Sequence, residues 1–320
     1  MRVAFDSRGA ADPRGIGRYV RSLLEGLRRT AGEDDEVLES HRPRGAAVYH
    51  SPWIDGALLR PPCPMLVTLH DLVPLKRRGE YLRTGLRFRI RYLAVQRAAR
   101  VIVPTRHVAA DAAVLLGLDP ARIEVIAEAA APVLRPVDDP AVDAVRRRYR
   151  LPDQYLLWVG GLEHPDPRKR VAALAGAPRR LPLVLVGRHG HWTAELPGVH
   201  LTGQVPDEDL AAIYTGAHAL VFPSDDEGFG LPPVEALACG TPVAATDLPA
   251  LREVLGDRAT FVAPGDMARL LAAAEAATRP APAPPPWTWE DAARATWESY
   301  GRAAADGTPA PVRRPRRPRD

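Results

Sequence analysis

Lysine is almost missing from this chain: Lys76 and Lys169 stand beside 41 arginines in 320 residues. With 34 prolines besides, the pattern fits a coding sequence rich in G and C, so a lysine inside a motif carries information. Cysteine is as scarce. Cys63 and Cys239 can build neither a disulfide framework nor a four-ligand zinc site, which points to a reducing compartment. No stretch of 18 consecutive apolar residues occurs, and MRVAFDSRGAADPRGIGRYV lacks the apolar core of a secretory signal. A soluble, cytoplasmic protein is expected. The formal charge is +4, but the last fifteen residues hold five arginines against two aspartates, leaving +1 for everything before them. A nucleic-acid-binding body is therefore not expected, despite a pI near 9.3. Apolar residues at 46% and charged residues at 26% exclude wholesale disorder, and the length favours two domains.

Short apolar runs alternate with longer amphipathic stretches, the form taken by βαβ units and parallel sheets. One series places strands at 2–6, 47–50, 65–69, 101–104 and 124–127, with helices after Gly17 and from about Tyr81. A second places them at 155–160, 183–187, 220–223, 243–245 and 260–262. The pattern predicts an α/β protein of two doubly wound, Rossmann-like domains facing across a cleft. The expected divisions are a first domain over 1–134, a linker with one short helix over 135–150 and a second domain over 151–285. A final helix over 286–305 and a disordered Pro/Arg tail over 306–320 follow. The run RPAPAPPP must be extended, so it can carry the last helix away from the second sheet.

Ligands of such sheets bind outside the carboxyl ends of the strands. The densest chemistry there is FPSDDEGFGLPPVEALACGTPVAATD, residues 222–247. A strand ends at Phe222, Gly228 and Gly230 bracket Phe229, and a helix over 233–238 is stopped by Gly240. Strand, glycine loop and helix start present free amides to an anion. Glu227 and Glu235 beside that loop suit neighbouring hydroxyls, and sugar nucleotides combine phosphate with several hydroxyls.

The string EGFGLPPVE, with Glu227 and Glu235 separated by seven residues, resembles the motif of retaining glycosyltransferases with the GT-B fold, family 4. GIGRYVRSLLEGL, VTLHDLVPL, ARVIVPTRHVAADA, WVGGLEHPDPRKRVAAL and LTGQVPDEDLAAIYTGAHALVFPS are similar to further segments of that family, so the resemblance spans nearly the whole chain. It implies transfer of a hexosyl group from a nucleotide sugar, GDP-mannose or a UDP-sugar, to a glycan or lipid-linked acceptor with retention of configuration. It assigns catalytic positions to His70, Arg168, Lys169 and Glu227. Arg168 and Lys169 would neutralise the departing diphosphate, and Glu227 with the amides of Gly228, Phe229 and Gly230 would hold the sugar hydroxyls. Glu235 would bind the ribose diol and Val205 the base through its backbone, while Leu231 belongs to the same donor site. Gly15 and Gly17 would let the first loop approach the phosphates. The resemblance is imperfect at Gly161, where many members carry arginine, and in the short first domain, which shapes the acceptor site.

No D-x-D-type pair follows a strand, so neither a metal nor any other cofactor is expected. The Gly15–Gly17 pair does not open a nicotinamide-dinucleotide fingerprint: the third glycine is missing, and Asp6 ends its strand nine residues earlier. A sugar-nucleotide epimerase or phosphorylase on the same fold, and a degenerate sugar-nucleotide binding protein, are the other readings. Residues 76–100 hold nine basic side chains against Glu80 alone. At helical spacing Arg83, Arg87 and Arg91 form a stripe, with Leu82, Leu86, Ile90 and Leu93 on one side and Phe88, Tyr92 and Val95 on the other. Two readings follow: a buried helix with a solvated basic stripe, or a transient contact with an anionic membrane at its inner face.

Overall fold

The computed structural model describes residues 1–12, 15–76 and 85–307, without the side chains of 85–89. The expected helix start near Tyr81, Arg83, the Arg87 side chain and residues 308–320 lie outside that description.

Two six-stranded parallel sheets form the molecule. The first contains β1 (Arg2–Phe5), β2 (Glu36–Glu39), β3 (Val48–Ser51), β4 (Met65–Thr68), β5 (Arg100–Val103) and β6 (Ile123–Val125), in the order β2-β1-β3-β4-β5-β6. The second contains β7 (Leu156–Val159), β8 (Leu183–Val186), β9 (Val199–Gly203), β10 (Ala219–Phe222), β11 (Val243–Thr246) and β12 (Thr260–Val262), in the order β12-β11-β10-β7-β8-β9. Strand order reverses between β1 and β3 in one sheet and between β7 and β10 in the other, and these reversals open crevices at the strands' carboxyl ends. The doubly wound α/β architecture matches the expectation. Two strands had no counterpart in the sequence reading. Both β2, with only Val37 and Leu38 between glutamates, and β9, half-exposed throughout, are sheet edges, where the apolar signal is weakest.

The first sheet is covered by α1 (Gly15–Thr30), α2 (Val73–Lys76), α3 (Gly85–Val95) and α4 (Arg106–Leu116). The polar segment before the second sheet forms α5 (Asp139–Tyr149), capped by Asp138 and carrying proline in its first turn. It is docked rather than free: Val145, Leu134 and Ala131 belong to the second unit's apolar core, and Arg148 pairs with Asp209 at 2.8 Å. Helices α6 (Val171–Gly176), α7 (Asp207–Gly216), α8 (Leu231–Ala238), α9 (Pro249–Leu255) and α10 (Met267–Glu275) complete the second unit.

The last helix, α11 (Trp289–Asp306), opens with a Thr288–Asp291 capping box and packs on α1 of the first unit. Trp289, Ala292, Ala293, Tyr300 and Ala303 join the core built by Tyr19, Val20, Leu23 and Leu27. A Cβ at Gly26 would meet the Trp289 carbonyl oxygen at 2.8 Å and the Ala293 Cβ at 3.1 Å, so the helices touch through a residue without a side chain. Beneath them His50 bridges the Tyr300 hydroxyl at 2.7 Å and Thr68 at 2.9 Å, and burial lowers its pKa to about 3.

The tight crossing yields a test. Gly26→Leu inserts bulk between two backbones and is expected to destabilise by about 1–3 kcal/mol. A urea midpoint equal to that of the wild type would show that the crossing is loose.

Candidate active site

The carboxyl ends of both sheets face one cavity of about 650 Å³. The second sheet supplies Gly160 and Gly161 after β7, Gly187 and Arg188 after β8, and Ser224 to Gly230 after β10; the first supplies Gly15, Ile16 and Arg18 of α1, and His70, Asp71 and Glu128. All twelve site residues expected from the sequence line this cavity except Gly17. A Cβ at Gly17 would lie 1.8 Å from the Asp12 carbonyl oxygen, so that glycine admits its own loop rather than a ligand.

Glu227 begins the glycine loop. Burial pushes its carboxyl up, while Arg168, at 3.7 Å, and Lys169 pull it down. The loop then runs tightly against the first unit: a Cβ at Gly228 would strike the His70 carbonyl oxygen at 1.8 Å, and the Thr105 hydroxyl donates to the Gly228 carbonyl at 2.9 Å. Gly230 takes a φ of +90°, open to glycine, and α8 starts at Leu231, two residues earlier than the prolines suggested. Phe229 and Leu231 are buried beside it.

One turn into α8, Glu235 is 2% exposed. It accepts from the Tyr214 hydroxyl at 2.9 Å, and Arg18 Nε of the first unit lies 2.9 Å from its Oε1. Burial raises the Glu235 carboxyl, and Arg18 and Tyr214 oppose that rise. The same guanidinium donates from Nη2 to Asp207 at 2.7 Å. Burial alone would weaken the Arg18 cation, but the two carboxylates raise its pKa well above the ordinary arginine value.

The basic turn is held from both sides. Asp166 caps Pro167–Lys169, Asp225 N–H donates to the Arg168 carbonyl at 2.8 Å, and Arg168 Nη1 reaches Asp71 of the first unit at 3.2 Å. Lys169 Nζ lies 5.8 Å from the Trp158 ring centre, a cation–π distance. Gly161 brings no charge, yet Arg188 enters the same lip from β8, paired with Glu163 at 3.2 Å. Val205 lines the far wall with Gln204 and Pro206.

His70 is engaged at both ring nitrogens, Nδ1 with Glu128 at 3.0 Å and Nε2 with the Pro52 carbonyl at 2.9 Å. Burial would lower its pKa, but the Glu128 carboxylate outweighs this and raises it. Away from the cavity, the N-terminal amides of α4 at Arg106 and His107 donate to Glu253 of α9 at 2.7 and 3.1 Å, and Lys76 reaches Asp226 at 2.8 Å.

Arg18, Asp71, Glu128 and Asp207 were not singled out from sequence. Arg18 and Asp71 stand inside the quoted segments GIGRYV and VTLHDLVPL, and Glu128 is a lone charge in VIAEAAAPV. Among the described residues, no group of three or more histidines, cysteines or carboxylates is placed to hold a metal ion.

Two family models match the chain. "Glycosyltransferase Family 4" covers residues 46–129 and "Glycosyl transferases group 1" covers 153–278, so each unit matches one model. The O-antigen chain mannosyltransferase B of Escherichia coli is 37% identical over 142 residues, which is 38% of this chain and 36% of that protein. The D-inositol 3-phosphate glycosyltransferase of Mycobacteroides abscessus is 28% identical over 87% of this chain and 70% of its own length. This chain thus spans about a third of the first relative and more than two thirds of the second. Among solved structures, Anabaena HepE in complex with UDP and glucose superposes with a TM-score of 0.65 at 17% identity, over 96% of this chain and 97% of that one. The architecture is GT-B.

The Arg18–Glu235 pair predicts non-additive stability. Arg18→Ala strands a buried carboxylate and is expected to cost about 3–5 kcal/mol, much of it recovered when Glu235→Gln is added. Additive losses in denaturant titrations would mean that the two side chains do not interact.

Proposed function

We propose that the protein is a glycosyltransferase that moves a hexosyl group from a nucleotide sugar, GDP-mannose or a UDP-sugar, to a glycan or lipid-linked acceptor with retention. One observation carries the reading: Glu227 and Glu235 flank a glycine loop and helix start in a cleft that also holds Arg168, Lys169, Arg188 and Arg18. Hydroxyl-binding carboxylates and phosphate-neutralising cations are what a sugar joined to a nucleoside diphosphate requires. The matched glycosyltransferase models and the mannosyltransferase name among the relatives support it.

In this reading Glu235 and its Tyr214 partner receive the ribose diol, and the backbone at Val205 meets the base. Glu227 and the Gly228–Gly230 amides orient the transferred sugar. Arg168 and Lys169 meet the negative charge that develops on the β-phosphate as its bond to the anomeric carbon breaks. The acceptor oxygen attacks from the face the diphosphate leaves, its proton passes to a phosphate oxygen, and the bonding pair leaves with the diphosphate. Cationic side chains take the place of a metal.

Glu235→Ala should weaken nucleotide binding by about 1.5–3 kcal/mol, the loss of hydrogen bonds to a charged acceptor, whereas Glu227→Ala should act mainly on turnover. Removing Lys169 or Arg168 should slow transfer by roughly a hundredfold or more, with chelator doing little. A nucleotide-sugar panel, scored by thermal protection and by the anomeric configuration of the product, checks all of these. Parental transfer by both glutamate variants, or activity lost to chelator and restored by magnesium, overturns the assignment.

A lipid-linked acceptor would require a cytoplasmic protein that visits the membrane. Among the described residues no helix is long and apolar enough to cross one. On α3, Ile90 and Leu93 are 39% and 48% exposed, Tyr92 and Val95 are buried, and Arg91 pairs with Asp55 at 2.9 Å. Docking through this face predicts co-sedimentation with anionic vesicles that weakens in Ile90→Ser/Leu93→Ser. Equal recovery of variant and parent leaves α3 a solvated surface.

A further inference from the structure

Glu128 follows β6 and is 4% exposed, and its carboxylate faces His70 at the cleft wall. The chemistry of the two ring contacts is asymmetric. A peptide carbonyl can only accept, so the 2.9 Å contact to Pro52 places a proton on Nε2. A carboxylate at 3.0 Å from Nδ1 accepts a second. Asp71 follows His70 in the chain and pairs with Arg168, the Tyr19 ring of α1 stands edge-on at 4.5 Å, and His50 of β3 is held neutral by burial. The Glu128 carboxylate is thus in direct contact with the ring, and Asp71 adds a second, weaker negative influence.

We propose that Glu128 is a positioning residue that fixes His70 as an imidazolium, both N–H groups committed to protein acceptors, so that His70 serves as a fixed positive charge and not as the base. This rests on the transferase reading above and deepens it. A ring whose two nitrogens both donate has no lone pair for the acceptor's proton. That proton therefore goes to the departing diphosphate: the acceptor O–C1 bond forms, the C1–O bond to phosphate breaks, and the electron pair leaves with the phosphate oxygen. The imidazolium adds positive charge to the cavity in which that oxygen becomes anionic.

Nitrogen-15 NMR of the ring in substrate-free protein separates the two roles. Both His70 nitrogens are expected to carry protons at pH 7, and in E128Q one should lose its proton there, with E128D restoring it. Turnover should fall as pH rises through the elevated His70 pKa, and E128Q should move that fall to lower pH, about tenfold in rate on the alkaline side for each unit moved. One bare ring nitrogen in the wild type at pH 7, or turnover that rises through the same titration, overturns the proposal. The wild-type spectrum decides the matter even if E128Q does not fold. Failure of the transferase reading shows separately, as an absence of transfer from every nucleotide sugar with the ring still doubly protonated.

Discussion

A carboxylate taken out of water must find a countercharge, and Glu235 finds its own on the other domain. Tyr214 of the neighbouring helix α7 supplies a hydrogen bond, but the cation comes from Arg18, more than two hundred residues earlier in the chain. Because Arg18 also holds Asp207, one guanidinium ties α1 to the starts of α7 and α8. The rest of the interface repeats this arrangement. Arg168 reaches Asp71, Lys76 reaches Asp226, and Glu253 accepts from the free amides of α4, where a helix N-terminus favours a negative charge. The units also meet closely where the Gly228 loop lies against the His70 carbonyl and accepts from the Thr105 hydroxyl. The partly exposed Lys76–Asp226 pair is one that water can replace, whereas the buried Arg18–Glu235 pair is costly to break.

Backbone topology explains why those charges gather where they do. Each sheet reverses its strand order once; the loops at the two reversals lead to Gly15, Gly160 and Glu227, and His70 follows the neighbouring strand β4. Glycines at these positions are demanded by contacts: Gly187 sits against the Gly160 carbonyl and Gly228 against that of His70. The α11 crossing on α1 then joins the end of the chain to its beginning, so the first unit's core is completed by residues that follow the second.

The parts of the site that lie within one loop were legible in the sequence, because strand end, glycines, prolines and carboxylates fall within fourteen residues, Phe222 to Glu235. The sheets were legible wherever a strand is buried on both faces, and β2 and β9 escaped because edge strands need few apolar residues. What could not be read was pairing. Arg18, Asp71 and Glu128 gain their meaning from partners 217, 97 and 58 residues away, and nothing in the local pattern announces such contacts. Gly17 shows the same limit of a local reading: the atom it accommodates is the Asp12 carbonyl oxygen of its own loop.

The proposed transferase function requires both domains to grip one nucleotide diphosphate across this cleft. Amide hydrogen exchange, read with and without saturating GDP or UDP, tests it directly. Slowed exchange is expected in two separate places at once, residues 224–231 of the second domain and residues 15–19 with 70–73 of the first. Protection confined to one domain, or lying away from the cleft, would contradict it.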